Sequence, residues 1–560
     1  MTQGCEAATI GLRPADVVMR LERLGSAHQT RLSFLRALLR RMRAESWRIA
    51  RLRFDIDGKG VGTAIYTVDV GERLYSLVAF GHDLAPERRT DRVIAEEWDA
   101  TFALCDGIPN EAGIERLRRN VPLQEVGRYL SSELVLARAN RSVRLFDQVL
   151  SALCEGRQPD RAAVEATGYL MRTTAVYGNG KFGIADRDLI MDRPELTGPF
   201  RAEMLTVYLI RAFTVDLVEH LARLAGGSRA VGLEPALRRR FGIGNATGLG
   251  MAPFLVKHPA LVDRWITARE TALAKVRCVE TTGAREIALF RAALTHSHRL
   301  LADWLTDDAV QSRKIGELRR DLLRLDVFAT DTVLGGSRPF DAIYRFAEAH
   351  LSVEAQEYAV TLVIEPHGEL VDGLAEQMAI DETEGLRIDG SLRCADLRRL
   401  IEAHCGFAFE PDFRSEEARA RFWYVSEEKL EPRLGERFKE PGMEREQPLA
   451  VARDIAALAR VLADERPETS VARFLLTHPE HRHSVRRVAI AARHPYSEIW
   501  GNLIGAELRP IDILRCKLAF FGATRFDPRS DRWLRITLFQ GAPFPDELAS
   551  CDTDLWAYGA

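Results

Sequence analysis

Residues 51–80 read RLRFDIDGKGVGTAIYTVDVGERLYSLVAF, and their period decides the fold class. Leu52, Phe54 and Ile56 alternate with Arg51, Arg53, Asp55 and Asp57, which puts apolar and charged side chains on opposite faces of a strand. Asp57-Gly58-Lys59-Gly60 has turn chemistry, and Ala64, Tyr66, Val68 and Val70 then resume the alternation. Gly71-Glu72 makes a second turn, followed by a third strand over 74–80. The spacing predicts an antiparallel meander with one face buried and one wet.

Outward from the meander the period changes. Upstream, 14–46 is helical in pattern, with Leu21, Leu24, Leu32, Leu35, Leu38 and Leu39 forming an apolar stripe among arginines. Downstream, helical patterns dominate 91–330, broken by Pro109, Pro122 and two glycine-rich interruptions. The most apolar segment, 200–225, contains Arg201, Glu203, Arg211, Asp216 and Glu219, so it is expected to be a core helix. Gly335-Gly336-Ser337-Arg338-Pro339 has the composition of a linker or sharp turn. Beyond it the pattern suggests strands at 359–365, 386–389, 485–491 and 533–539, a helix at 393–404, and a charged surface stretch at 427–449. The expected class is α+β: mostly helical, with an N-terminal antiparallel β-meander and a mixed α/β C-terminal domain. The domain boundaries expected are 1–110 for a helix plus the meander, 111–335 for a central helical domain with Gly-rich loops, and 336–560 for the mixed domain.

Composition narrows the function. A chain of 560 residues has room for about three or four domains. Lys+Arg number 78 against 81 Asp+Glu, a net charge of −3 that does not favour nucleic acid as a partner. Eight cysteines lie at 5, 105, 154, 278, 394, 405, 516 and 551 without a CxxC pair, which suggests reduced thiols in a cytoplasmic compartment. The N-terminus carries no basic segment followed by an apolar run, so no secretory signal is expected. No stretch reaches the roughly 18 apolar residues of a membrane span, so no membrane partner is expected either.

Three constellations could carry chemistry. In 173–183, Gly178, Gly180 and Gly183 surround Asn179 and Lys181, and exposed amides beside a lysine suit an anionic group. Tyr177 and Lys181 have Tyr-x-x-x-Lys spacing, but the glycines between them disfavour the helix that would align them. In 241–253, Gly242, Gly244, Gly248 and Gly250 accompany Asn245 and Thr247, a cradle-like composition that matches no nucleotide-binding fingerprint. The third, 493–502, holds His494 as a candidate general base with Tyr496 or Glu498 as its partner.

Other chemistries find less support. His478, His481 and His483 fall in a charged stretch, His296 and His298 are two apart, and HExxH is missing, so no metal site is expected. GxSxG is missing too, and Cys405 beside His404 has the character of a core thiol. The functional expectation is a cytoplasmic metabolic enzyme acting on an anionic carboxylate or phosphate by general acid–base chemistry, a lyase or hydrolase rather than an oxidoreductase. Tyr177, Lys181 and His494 are the expected catalytic residues; Asn179, Asn245, Thr247, Tyr496 and Glu498 are the expected substrate-binding ones. No cofactor is named by any motif, and a homo-oligomer is compatible with the chain. The alternative is a non-catalytic assembly or regulatory protein that docks partners through helical surfaces.

Overall fold

The computed structural model describes residues 10–20, 22–23, 29–88, 97–123, 127–173, 190–246, 259–302, 304, 309–378, 388–410, 412–414, 423–426, 432–434, 446–449, 451–497, 521–523, 525–527, 535–550 and 555–558. The chain forms two compact units. One comprises Gln29–Gly248, Leu518–Asp527 and Trp533–Ala560, and is built on a large sheet; the other comprises Met1–His28, Leu249–Lys517 and Pro528–Arg532, and is mainly helical. The class is mixed α+β.

In the sheet unit, β1 (Arg48–Ile56), β2 (Gly62–Asp69) and β3 (Leu74–Gly81) form the expected meander. Its first turn is fixed by Asp57, whose Oδ1 accepts the N–H groups of Lys59 and Val61 at 2.9 Å each. Gly60 there takes φ 85°, a conformation glycine enters without the penalty of a Cβ. The sheet continues where helix was expected: β4 (Ala100–Asp106), β5 (Glu133–Arg141), β6 (Tyr169–Thr173) and β7 (Gly242–Ala246) follow in order. Two late strands, β8 (Arg525–Asp527) and β9 (Arg535–Leu538), complete nine, with β9 paired to β7 and β8 at the edge.

All neighbours are antiparallel except β6 and β7. A parallel pair needs a crossover, and here the crossover contains a 26-residue helix, Arg201–Gly226. Alternation along the strands sends their side chains to two cores. Ile65, Val78, Phe80, Ala103, Cys105 and Leu136 pack with Ile114 and Leu117 of helix α2 (Glu111–Asn120) and with its C-cap residue Val121. Tyr66, Phe54 and Phe102 meet the crossover helix on the other face, through Asp216 and Phe213. A shorter helix, α1 (Phe34–Ala44), precedes the sheet, and we call the crossover helix α3.

The helical unit includes α4 (Pro259–Arg277), α5 (Ala284–Ala302), α6 (Ala309–Phe328), α7 (Pro339–His350) and α8 (Val353–Ile364). A second core joins α9 (Cys394–His404), α10 (Val451–Asp464) and α11 (Arg482–Arg493). Two expected strands are therefore helices. Residues 359–364 belong to α8, with Glu365 as its C-cap, and the helix is capped at its start by Ser352, whose hydroxyl accepts the Ala355 N–H. Residues 485–491 lie in α11, where Val485, Val488 and Ala491 recur at the helical interval on its buried side. The stretch 427–449, expected to run over the surface, contributes Pro432–Leu434 and Glu446–Leu449 to a small antiparallel sheet with Trp423–Ser426.

Cys105, Cys154, Cys278, Cys394 and Cys405 are in no disulfide, and burial pushes Cys105 up to about 12, which keeps it unreactive. Among the described residues, no helix is long and apolar enough to cross a membrane.

Candidate functional site

Of the second glycine-rich segment, Gly242–Ala246 form strand β7, and Gly248 and Gly250 fall outside the described residues. Gly244 lacks the positive φ that a cradling loop would use. A Cβ there would stand 2.7 Å from the Tyr169 ring, so glycine serves the close approach of β6 and β7. Asn245 lies in that strand opposite Ile536. Tyr177, Asn179, Lys181, Thr247 and Glu498 fall outside the described residues. Of the three expected catalytic residues, only His494 is therefore described.

His494 and Tyr496 are described, and both lie in a charged cluster of the helical unit. The cluster begins with α4. Its apolar side is formed by Leu261, Val262, Trp265, Ile266, Leu273 and Val276, all buried. Arg269 and Glu270 fall within the same stripe, so the fold must bury two charges, and buried charges require partners. Glu357 of α8 is likewise buried.

Arg13, in the extended segment ahead of a short N-terminal helix, links them. Its Nε and Nη2 donate to the two oxygens of Glu270, each at 2.8 Å, and Nη1 donates to Glu357 Oε1 at 2.7 Å. Arg269 Nη2 donates to Glu357 Oε2 at 2.5 Å, and Arg23 Nη1 to Glu357 Oε1 at 2.9 Å. Burial alone would raise the Glu357 carboxyl, but the Arg13 and Arg269 guanidiniums hold it well below the usual carboxylate range. Burial alone would lower Arg13, and Glu357 and Glu270 instead raise it.

The backbone of the same arginine reaches the predicted site. Tyr496 Oη donates to the Arg13 carbonyl at 2.6 Å, and the Tyr496 N–H donates to Asp263 Oδ1 at 2.8 Å. Asp263 stands two turns before Glu270 on α4, on the same face. Its other oxygen, Oδ2, is 3.9 Å from His494 Nδ1, an ion-pair separation and longer than a hydrogen bond. Burial raises the Asp263 carboxyl, opposed by the Tyr496 N–H and by His494. The Tyr496 phenol is raised as well, by burial and by the nearby Glu270 and Asp263 charges. The phenol is thus a strut that fixes the loop after α11, and a partner of His494 is Asp263, a residue the sequence reading did not single out.

Among the described residues, no group of three or more His, Cys, Asp or Glu side chains converges as a metal site. The two ring nitrogens of His478 face Glu480 at 3.4 Å and Glu465 at 3.5 Å. Comparison of the chain with protein-family models, curated proteins and solved structures returns no match, so the site is read from its own residues.

Proposed function

We propose that the chain is an enzyme that transfers a proton to or from an anionic small molecule, carboxylate or phosphate, in a lyase or hydrolase reaction. The observation that carries this reading is the His494–Asp263 pair, in which Asp263 is itself fixed by the Tyr496 N–H. A carboxylate on the Nδ1 side favours the tautomer with its proton there and leaves Nε2 as the exchanging nitrogen. Contacts of this kind are commonly loose without substrate and tighten when it binds.

Charge supports an anionic substrate. Arg13, Arg23 and Arg269 balance Glu270, Glu357 and Asp263, so protonation of His494 makes this named group net positive. That is the state that attracts an anion and then gives up its proton. The test is to incubate the full chain with a panel of phosphorylated and carboxylated metabolites and follow each by NMR. A substrate consumed by the natural chain should be bound but not turned over by His494→Gln. Equal turnover by both proteins would contradict the assignment, as would a panel left intact by the natural chain.

A further inference from the structure

We propose that the N-terminal end of α1, in the sheet unit, binds a small phosphate-type oxyanion through Gln29, Thr30, Ser33 and the first amides of the helix. This inference does not depend on the proton-transfer reading. Ser33 occupies the N-cap position with extended backbone, φ −59° and ψ 141°, yet its side chain makes no capping bond. The N–H groups of the first turn have no acceptor within a helix, and the positive end of the helix dipole lies here. The Ser33 N–H donates to the Thr30 carbonyl at 3.0 Å, a turn that brings Thr30 and Gln29 to the same end.

The second observation concerns burial. Gln29, Thr30 and Ser33 are 2%, 5% and 0% exposed. Among the described residues, Gln29 Nε2 and Oε1, Thr30 Oγ1 and Ser33 Oγ have no hydrogen-bond partner. Buried polar atoms are almost always satisfied, so four unsatisfied ones within residues 29–33 mark a place where something else binds.

The donor set selects the ligand. Two hydroxyls, the amide hydrogens of Gln29 and the helix N–H groups are a donor set suited to an anion with several acceptor oxygens. Gln29 Oε1 is an acceptor, which a hydrogenphosphate O–H can satisfy and a carboxylate cannot. Arg36 and Arg40 follow Ser33 at i+3 and i+7, on its side of the helix. Arg36 is wholly buried, and Arg40 Nη2 donates to the Arg31 carbonyl at 2.7 Å.

The test titrates inorganic phosphate into the full chain, with sulfate and chloride at matched ionic strength, read by calorimetry and by Tm. Phosphate should bind saturably and raise Tm. Gln29→Leu and Ser33→Ala should weaken it at least tenfold. Ser33→Asp supplies a fixed carboxylate in place of the anion, so it should keep or raise Tm without phosphate while abolishing the phosphate response. A parallel titration with methyl phosphate separates the two sources: binding tighter than inorganic phosphate assigns the site to a monoester, and weaker binding to the free ion. No saturable phosphate binding overturns the proposal. So does unchanged affinity in Gln29→Leu and Ser33→Asp, or sulfate binding as tightly as phosphate.

Discussion

Arg211 in the sheet unit and Arg13 in the helical unit are both buried guanidiniums, and their surroundings differ. Arg211 donates to backbone carbonyls of Phe241 at 2.6 Å, Arg239 at 3.2 Å and Pro543 at 3.4 Å, and stacks on Phe544 with its carbon 3.7 Å from the ring centroid. Burial pushes it down to about 9. Arg13 faces two glutamates, which hold it up despite burial. Carbonyls are neutral, so a lost arginine leaves them only unsatisfied. Carboxylates keep their charge, and removing the arginine leaves that charge in the interior.

The comparison breaks most visibly at Arg13. Arg13→Met should destabilise the helical unit by about 3–5 kcal/mol, because buried Glu270 and Glu357 lose a shared partner. Urea unfolding, with faster hydrogen exchange in α4 and α8, would show it. Arg211→Met should cost less, about 1–3 kcal/mol, since it strands acceptors and not ions. Its mark would be faster exchange in β7. Equal losses in the two variants would show that the kind of partner does not matter.

How much of this was legible depends on which faces are buried. The meander was legible because Phe54 and Ile56 of β1 turn inward between the more exposed Asp55 and Asp57, although Leu52, at the register shift between Arg51 and Arg53, is exposed. β4 and β5 are buried on both faces, and β5 buries Glu133, Arg138, Asn140 and Arg141 among its apolar residues, which erases the period. Arg141 is tolerated there because Asp99, from outside the strand, accepts its backbone N–H at 2.9 Å and stands 3.8 Å from its guanidinium Nε as an ion-pair partner. The run over 359–365 misleads for a related reason: α8 is buried nearly all round, so its β-branched residues show no helical stripe. At the site, His494 and Tyr496 stood out by the density of ionisable and aromatic groups. Asp263, Glu270 and Glu357 did not, since a lone carboxylate in a helix resembles any surface residue. The available signal was that Arg269 and Glu270 fall on the apolar stripe of α4.

A smaller effect sharpens the contrast through pH. Burial lowers His367, with Glu369 and Glu286 opposing, so the folded state disfavours its protonation. Its folded value lies below the unfolded one near 6.5, so this contribution is complete above about pH 6.5 and is lost as pH falls below it. The loss should stay below about 1.4 kcal/mol per pH unit. His367→Gln should flatten that acid-side slope in Tm measured against pH, and an unchanged slope would assign it to other groups. Arg211, down at about 9, should add no slope on the acid side.

The pairing of His494 with Asp263 is tested most directly by long-range ¹H–¹⁵N NMR of the His494 ring near neutral pH. The geometry predicts a protonated Nδ1 and a bare Nε2, with the tautomer shifting toward Nε2–H in Asp263→Asn. A ring already in the Nε2–H form, and unchanged by Asp263→Asn, would contradict the pairing and with it the proton-transfer site.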